Sequence, residues 1–258
     1  MSELNAESLS LIAQMTQLDG SEDEFTTPWF YRALMRVAPP LVRTVTNVHY
    51  NGLERIPQSG PVIITGNHTS HIDPIVKIMG MRRPVHYLAK EEFFEDKKLQ
   101  KLMISTGQIE TERKSGASDA LSSAVDVLEN GHVMGIFPEG TRSRNLEPPY
   151  LGRGKTGVAR LAARFPHVPI VPMAIIGARD FLKPGSAIVN PLAKIQVSVG
   201  NPITFAEWLN DKEGAGLDNE GISNIASLDE HGQRSIMKSL YRDFTDQLIE
   251  TLRILGAP

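Results

Sequence analysis

The chain has no cysteine. That excludes disulfides, thiolate nucleophiles and cysteine-ligated zinc, and it fits a reducing compartment. It also lacks any run of about 18 apolar residues, the length a membrane-spanning helix needs. The longest apolar stretch, Ile170-Val-Pro-Met-Ala-Ile-Ile176, is strand-sized and interrupted by Pro172. A protein with no transmembrane helix, free to lie on a membrane surface, is expected. The opening Met1-Ser-Glu-Leu has neither the basic residues nor the apolar core of a secretory signal. Residues 1–27 contain no Lys or Arg but six acids: Glu3, Glu7, Asp19, Glu22, Asp23 and Glu24. The rest of the chain then carries 27 bases against 24 acids. That surplus suits an anionic substrate or a membrane surface and is far too small to indicate nucleic acid. There is no internal repeat.

What is present is enough for a sizeable core: 258 residues, 41% apolar and 22% charged, in the range of one large α/β domain or two small ones. From Val48 onward, strand-like runs (Val48–Gly52, Val62–Thr65, Val85–Ala89, Val133–Phe137, Ile170–Ile176, Ile195–Val199) alternate with helix-like ones (Pro74–Met81, Lys97–Ser105, Ser118–Asn130, Lys155–Arg164). Such alternation predicts an α/β fold, a layered, mostly parallel mixed sheet flanked by helices. Three parts are expected. Residues 1–27 read as an acidic, polar, partly mobile lead-in with a short helix over Ala6–Leu18. Residues 28–47 read as a pair of short amphipathic helices, broken at Pro39-Pro40 because two amides are lost there. Residues 48–258 read as the α/β domain, with a Gly-, Asp- and Asn-rich loop insertion at 210–232 and a C-terminal amphipathic helix at 235–255. The 28–47 pair, with Trp29, Phe30, Leu34, Val37 and Leu41 among Arg32, Arg36 and Arg43, is either ordinary core packing or an interfacial element that dips into lipid.

Directly after the apolar run ending at Thr65 stands Asn67-His68-Thr69-Ser70-His71-Ile72-Asp73-Pro74. On one helix His68 and Asp73 would lie about 140° apart. They meet only if residues 67–72 form a turn and a helix starts at Pro74, with Asp73 at its N-cap. A neutral imidazole so placed can take a proton from a hydroxyl, while the carboxylate holds the other ring nitrogen protonated. Two plainer readings stand beside this one: a cap with a turn residue, or a metal site built on His68, His71 and Asp73. No H-E-x-x-H pattern supports the metal, and no metal or prosthetic group is expected.

The second element, Phe137-Pro-Glu-Gly-Thr-Arg-Ser143, also follows a strand-like run. Gly140 allows close backbone approach, Thr141 and Ser143 offer hydroxyls, and Arg142 and Arg144 offer planar donors for phosphate oxygens. Glu139 is the odd acid in a cationic turn, able to orient an acceptor or position an arginine. Arg113, after the Gly107 turn, and Lys90 are further candidates for that site, although single bases of this kind are more often solvated. Val168-Pro-Ile-Val-Pro172 reads as a buried strand or as one wall of an apolar groove.

In this order the four blocks resemble the glycerolipid acyltransferase family, which includes bacterial 1-acyl-glycerol-3-phosphate acyltransferases: Asn67-His68-x4-Asp73-Pro74, Gly107-x5-Arg113, Phe137–Ser143 and Val168–Pro172. Lys90-Glu-Glu-Phe-Phe94 and Gly154-Lys-Thr-Gly-Val-Ala159 are similar to two further segments. The chain departs from the pattern at Glu110, Glu112, the proline segment 145–150, the acidic lead-in and 210–232. The resemblance implies transfer of a fatty acyl group from acyl-CoA or acyl carrier protein to a lysophospholipid hydroxyl, giving phosphatidic acid in phospholipid biosynthesis. The enzyme would be peripheral, on the cytoplasmic side of a membrane. His68 would be the general base and Asp73 its partner. Lys90, Arg113, Glu139, Gly140, Thr141 and Arg142 would bind the acceptor's glycerol phosphate, and backbone amides near Gly140 would meet the oxyanion. Glycerol 3-phosphate, another lysolipid, or a glycan or amino-lipid hydroxyl are alternative acceptors. A non-catalytic lipid-binding protein on the same scaffold is the reading from a different class.

Overall fold

The computed structural model describes residues 3–21, 24–111, 117–186 and 188–258. Among these residues seven strands form one sheet: β1 (Asn47–Asn51), β2 (Val62–Thr65), β3 (Val85–Lys90), β4 (Ile109–Thr111), β5 (Val133–Ile136), β6 (Ile170–Ile176) and β7 (Lys194–Val199). Their order is β1-β7-β6-β2-β5-β3-β4. Every pairing is parallel except β6 with β7. Five strands therefore run one way and two the other, which is the mostly parallel sheet expected. The helices are α1 (Ala6–Met15), α2 (Trp29–Val45), α3 (Asp73–Met81), α4 (Glu92–Glu95), α5 (Lys97–Ser105), α6 (Ala117–Glu129), α7 (Gly157–Arg164), α8 (Ala178–Phe181), α9 (Phe205–Asn210), α10 (Asn219–Ala226) and α11 (Glu230–Ile254).

Both faces of the sheet are covered, so the central strands are apolar throughout rather than alternating. All four residues of β2 are buried. Ile63 of β2 joins Met134 of β5 and Ile170 of β6 in one core with α1, α6, α7, α9, α10 and α11. Val62 and Ile64 join Val133, Val171 and Met173 on the other face, with Val76 of α3 and Phe181 of α8. Because β2, β3, β5 and β6 are mutually parallel, their carboxyl ends share one edge. Thr65 is paired with Ile136 and with Pro172. The turns after β2 and β5 are therefore side by side, at the edge where open α/β sheets bind ligands.

Three expected boundaries are corrected. Residues 28–47 hold one helix, α2, with Pro39 and Pro40 inside it. Proline's fixed φ is already helical, and Tyr31 is the only buried residue of this helix. The segment from Leu4 to Leu18 is no mobile lead-in: Leu4, Leu9, Ile12 and Leu18 belong to the main core. Asn219 accepts hydrogen bonds from Asn5 N and Ser8 Oγ, fixing α1 against α10. Nor is 210–232 simply a loop. It contains α10, capped by the Asp218 carboxylate and buried through Ile222 and Ile225. The last helix then begins at Glu230, capped by Asp229.

Full burial of a leucine or isoleucine side chain stabilises by about 1.5–3 kcal/mol, and Ile12 is 0% exposed. Ile12→Ala should therefore lower unfolding free energy by about 2–5 kcal/mol in a denaturant titration. An unchanged midpoint would show that the N-terminal segment is not part of the core.

Candidate functional site

The site begins where β2 ends. Gly66 passes too close to its neighbours for any side chain: a Cβ there would lie 2.0 Å from the Met173 carbonyl oxygen and 2.5 Å from Lys77 Nζ. Asn67 then clasps β6. Its Nδ2 donates to Ile175 O at 2.8 Å and its Oδ1 accepts from Ile175 N at 2.8 Å. The backbone of His68 is held from both sides by the β5 turn, with its N–H donating to Glu139 Oε1 at 2.8 Å and its carbonyl accepting from Ser143 N at 2.9 Å.

The side chains of His68 and Asp73 meet: Nδ1 lies 3.0 Å from Asp73 Oδ2. The same oxygen accepts from Thr69 N at 2.6 Å and Ser70 N at 2.7 Å. Asp73 is thus not the N-cap of α3, the place its sequence position suggested. Ile72 is at that position, and the Asp73 carboxylate turns back to close the preceding loop. A carboxylate accepts only, so Nδ1 is the protonated ring nitrogen. Nε2 is left as a neutral acceptor with no hydrogen-bond partner among the described residues, on a side chain 16% exposed. The ring stacks on Phe137, centroids 3.9 Å apart and planes within 14°. Burial depresses the His68 pKa below the ordinary histidine value; the Asp73 hydrogen bond and charge oppose this, and Lys77 and Arg142 add to the depression.

The β5 turn supplies the rest. Glu139 differs from its expected place as an acceptor ligand, because both its oxygens are occupied by backbone: Oε1 by His68 N and Oε2 by Gly152 N at 3.2 Å. It is 7% exposed, and burial raises its pKa. It is a strut between two loops. Gly140 takes φ +67°, as its turn requires, with Lys155 lying across it. Its N–H donates to Phe137 O at 2.9 Å, so it is committed to the turn and not free for an oxyanion. Thr141 and Arg144 are exposed and Arg142 is half-buried. Arg142 and Lys90 both act electrostatically on His71. Lys90, the last residue of β3, ends at the same sheet edge. Arg113 lies outside the described residues. Among the described residues no three His, Asp or Glu side chains converge as metal ligands. Val168–Pro172 runs into buried β6, which begins at Ile170.

A model of the family described as Acyltransferase matches residues 47–176, from the first residue of β1 to the last of β6. The chain belongs to the acyltransferase family. It is 25% identical over 159 residues to a 1-acyl-sn-glycerol-3-phosphate acyltransferase of Bacillus subtilis (strain 168), covering 60% of this chain and 73% of that one. To a protein of the same name from Borreliella burgdorferi it is 31% identical over 132 residues, 50% of this chain and 51% of the relative. The chain thus spans between half and three quarters of these relatives' lengths. Its fold is like that of the crystal structure of the 1-acyl-sn-glycerophosphate acyltransferase PlsC from Thermotoga maritima, with a TM-score of 0.52 at 20% identity over 80% of this chain and 78% of the other.

Four features of this acyltransferase escaped the sequence reading: the Asn67 clasp, the Phe137 stack, Lys155 across Gly140, and Lys77. The last had a visible signal, since a lysine interrupts the otherwise apolar run Pro74-Ile-Val-Lys-Ile-Met79. The Asn67 clasp is directly testable. Asn67→Ala leaves the Ile175 N–H and C=O without their side-chain partner inside the core, at about 1–3 kcal/mol for each unpaired group. Thermal unfolding should shift down accordingly and acyl transfer should fall with it; a variant with wild-type melting and wild-type turnover would show that the clasp does not position His68.

Proposed function

We propose that this acyltransferase moves a fatty acyl group from a thioester, acyl-CoA or acyl carrier protein, to the free hydroxyl of 1-acyl-glycerol 3-phosphate, giving phosphatidic acid. The observation that carries the reading is the 3.0 Å bond from His68 Nδ1 to Asp73, which presents a neutral Nε2 beside a cationic turn. The acceptor hydroxyl gives its proton to Nε2 as its oxygen attacks the thioester carbonyl carbon. The imidazolium so formed is stabilised by Asp73. When the tetrahedral intermediate collapses, the carbon–sulfur bond breaks and the sulfur leaves as thiol with the proton from His68. General base catalysis of this kind contributes about 10²–10⁴ in rate. The names of the relatives and the Arg142, Lys90 and His71 cluster support a phosphate-bearing acceptor. Arg142 is suited to two phosphate oxygens at once. Thr141 and Lys155 extend the same rim.

The lipid reading also accounts for α2. Trp29 (79% exposed), Val37 (58%), Leu41 (62%) and Val45 (57%) project from it, the helix carries Arg32, Arg36 and Arg43, and it has no acid. No helix among the described residues is long and apolar enough to cross a membrane. The register of β1 on β7 and of β7 on β6 brings Asn47, two residues past the end of α2, to the sheet edge where His68 lies. We place α2 in the headgroup layer on the cytoplasmic face, apolar side down and arginines toward lipid phosphate, where it would deliver a membrane-borne acceptor to the site.

Two outcomes follow. His68→Ala should lower transfer to lysophosphatidate by at least about 10²–10⁴-fold while retaining a cooperative melt and lysolipid binding; near-wild-type turnover would remove His68 as the base. The double variant Trp29→Glu, Leu41→Glu should lose sedimentation with anionic vesicles and most activity on vesicle-borne acceptor, yet keep activity on acceptor dispersed in detergent. Equal vesicle binding by variant and wild type would take α2 out of the interface.

A further inference from the structure

Lys77 lies one turn beyond Asp73 on α3 and is 1% exposed. Lysine is almost never fully buried without a paired charge, yet among the described residues no carboxylate comes within ion-pairing distance of this one. Its single hydrogen bond runs 3.3 Å to the carbonyl of Asn67, the residue before His68. Its ammonium sits 4.2 Å from the centre of the Phe137 ring, the same ring that stacks on His68. The room for it is made by Gly66, where a Cβ would come within 2.5 Å of Nζ. Backbone, aromatic ring and a glycine thus hold one cation behind the His68–Asp73 pair.

The charges around it explain what a cation can do there. Asp73 and Glu139 are both buried, at 0% and 7% exposure; both act on Lys77, and Asp73, bonded to the ring, favours a proton on the imidazole. An imidazolium cannot accept the hydroxyl proton. We propose that Lys77 is a positioning residue for acyl transfer, a buried counter-charge that offsets the two buried carboxylates and keeps His68 an unprotonated acceptor as the pH falls below neutral.

This rests on His68 being the general base. The groups that face the cluster are Asp73 from α3, Glu139 and Arg142 from the β5 turn, His68 and His71 from the β2 turn, and Tyr87 from β3. Tyr87 is held neutral, since burial raises its pKa well above the ordinary tyrosine value. Arg142 works in the same direction as Lys77 on His68, but from a half-exposed position where solvent and salt screen it more. Burial lowers the Lys77 pKa to about 7, against the pull of Asp73 and Glu139. The sign follows: below that pH Lys77 is a cation, opposes a second positive charge on His68, and extends the neutral imidazole to lower pH.

The test is the pH profile of kcat/KM for Lys77→Met and Lys77→Arg, with melting followed in parallel. In Lys77→Met the acid limb should move up by about one pH unit, roughly a tenfold loss below the limb with the alkaline plateau largely kept. Lys77→Arg should keep the limb at its wild-type position. A second measurement needs no variant and no substrate: in wild-type protein labelled at lysine Cε and histidine Cε1, NMR should show one lysine titrating near neutral pH and the His68 resonance responding over the same range. A folded Lys77→Met protein with the wild-type limb would overturn the proposal. So would equal loss at every pH in both variants, or a Lys77 that titrates with the surface lysines. If His68→Ala proves active, the base assignment falls instead, and the NMR titration still reports on Lys77 alone.

Discussion

Asp73 Oδ2 accepts hydrogen bonds from Thr69 N, Ser70 N and His68 Nδ1 at once, and on a carboxylate that is 0% exposed and whose other oxygen finds no partner among the described residues, those three bonds must offset the cost of burial. The three donors come from three residues of one turn, so pairing that oxygen fixes the turn's shape. The imidazole is oriented by the same act. Its tautomer, its ring plane and the direction of Nε2 all follow from one oxygen that has nowhere else to find protons.

The sheet makes that turn possible. β2 ends in the centre of the sheet, between β5 and β6, and each neighbour sends a group to hold what comes next. From β6, the Ile175 backbone engages Asn67; from the loop after β5, Glu139 engages the His68 N–H. Both contacts are side chain to backbone, the Asn67 pair buried and the Glu139 bond partly so, so each carries the penalty of an unmade bond if it is lost. A side chain held in this way loses little entropy on adopting that geometry, since it is already there. The acidic strut Glu139 adds a second negative charge close to His68, and Lys77 is the one lysine with a fully buried side chain among the described residues.

Much of this was legible before any coordinates. The alternation of apolar runs placed the strands within a residue or two because parallel strands covered on both faces carry little else. The three-residue β4 is too short to leave a pattern. The helical phase between His68 and Asp73, together with Pro74, showed that the two could meet only across a turn. What could not be read was the direction of the Asp73 carboxylate. An aspartate beside a proline at a helix start serves equally well as a cap, and only the buried turn decides. Glu139 was misplaced for a related reason: its partners, His68 N and Gly152 N, are backbone groups, which no side-chain pattern announces. At the N-terminus, the acidic composition hid Leu4, Leu9, Ile12 and Leu18, a spaced apolar set that the net charge averages away. Pro39-Pro40 misled because a lost amide was read as a break, whereas proline's fixed φ fits a helix that continues past it.

The Tyr31 hydroxyl ties α2 to the start of β3 twice over, donating to Val85 O at 3.0 Å and accepting from Val85 N at 3.1 Å. A helix joined so firmly to the sheet cannot swivel independently of it. With α2 seated in a bilayer, the whole body would sit at one fixed tilt, with the mouth at a set height above the lipid. Encounter with the acceptor would then be a two-dimensional search, and turnover would follow the mole fraction of lysolipid in the leaflet rather than its bulk concentration.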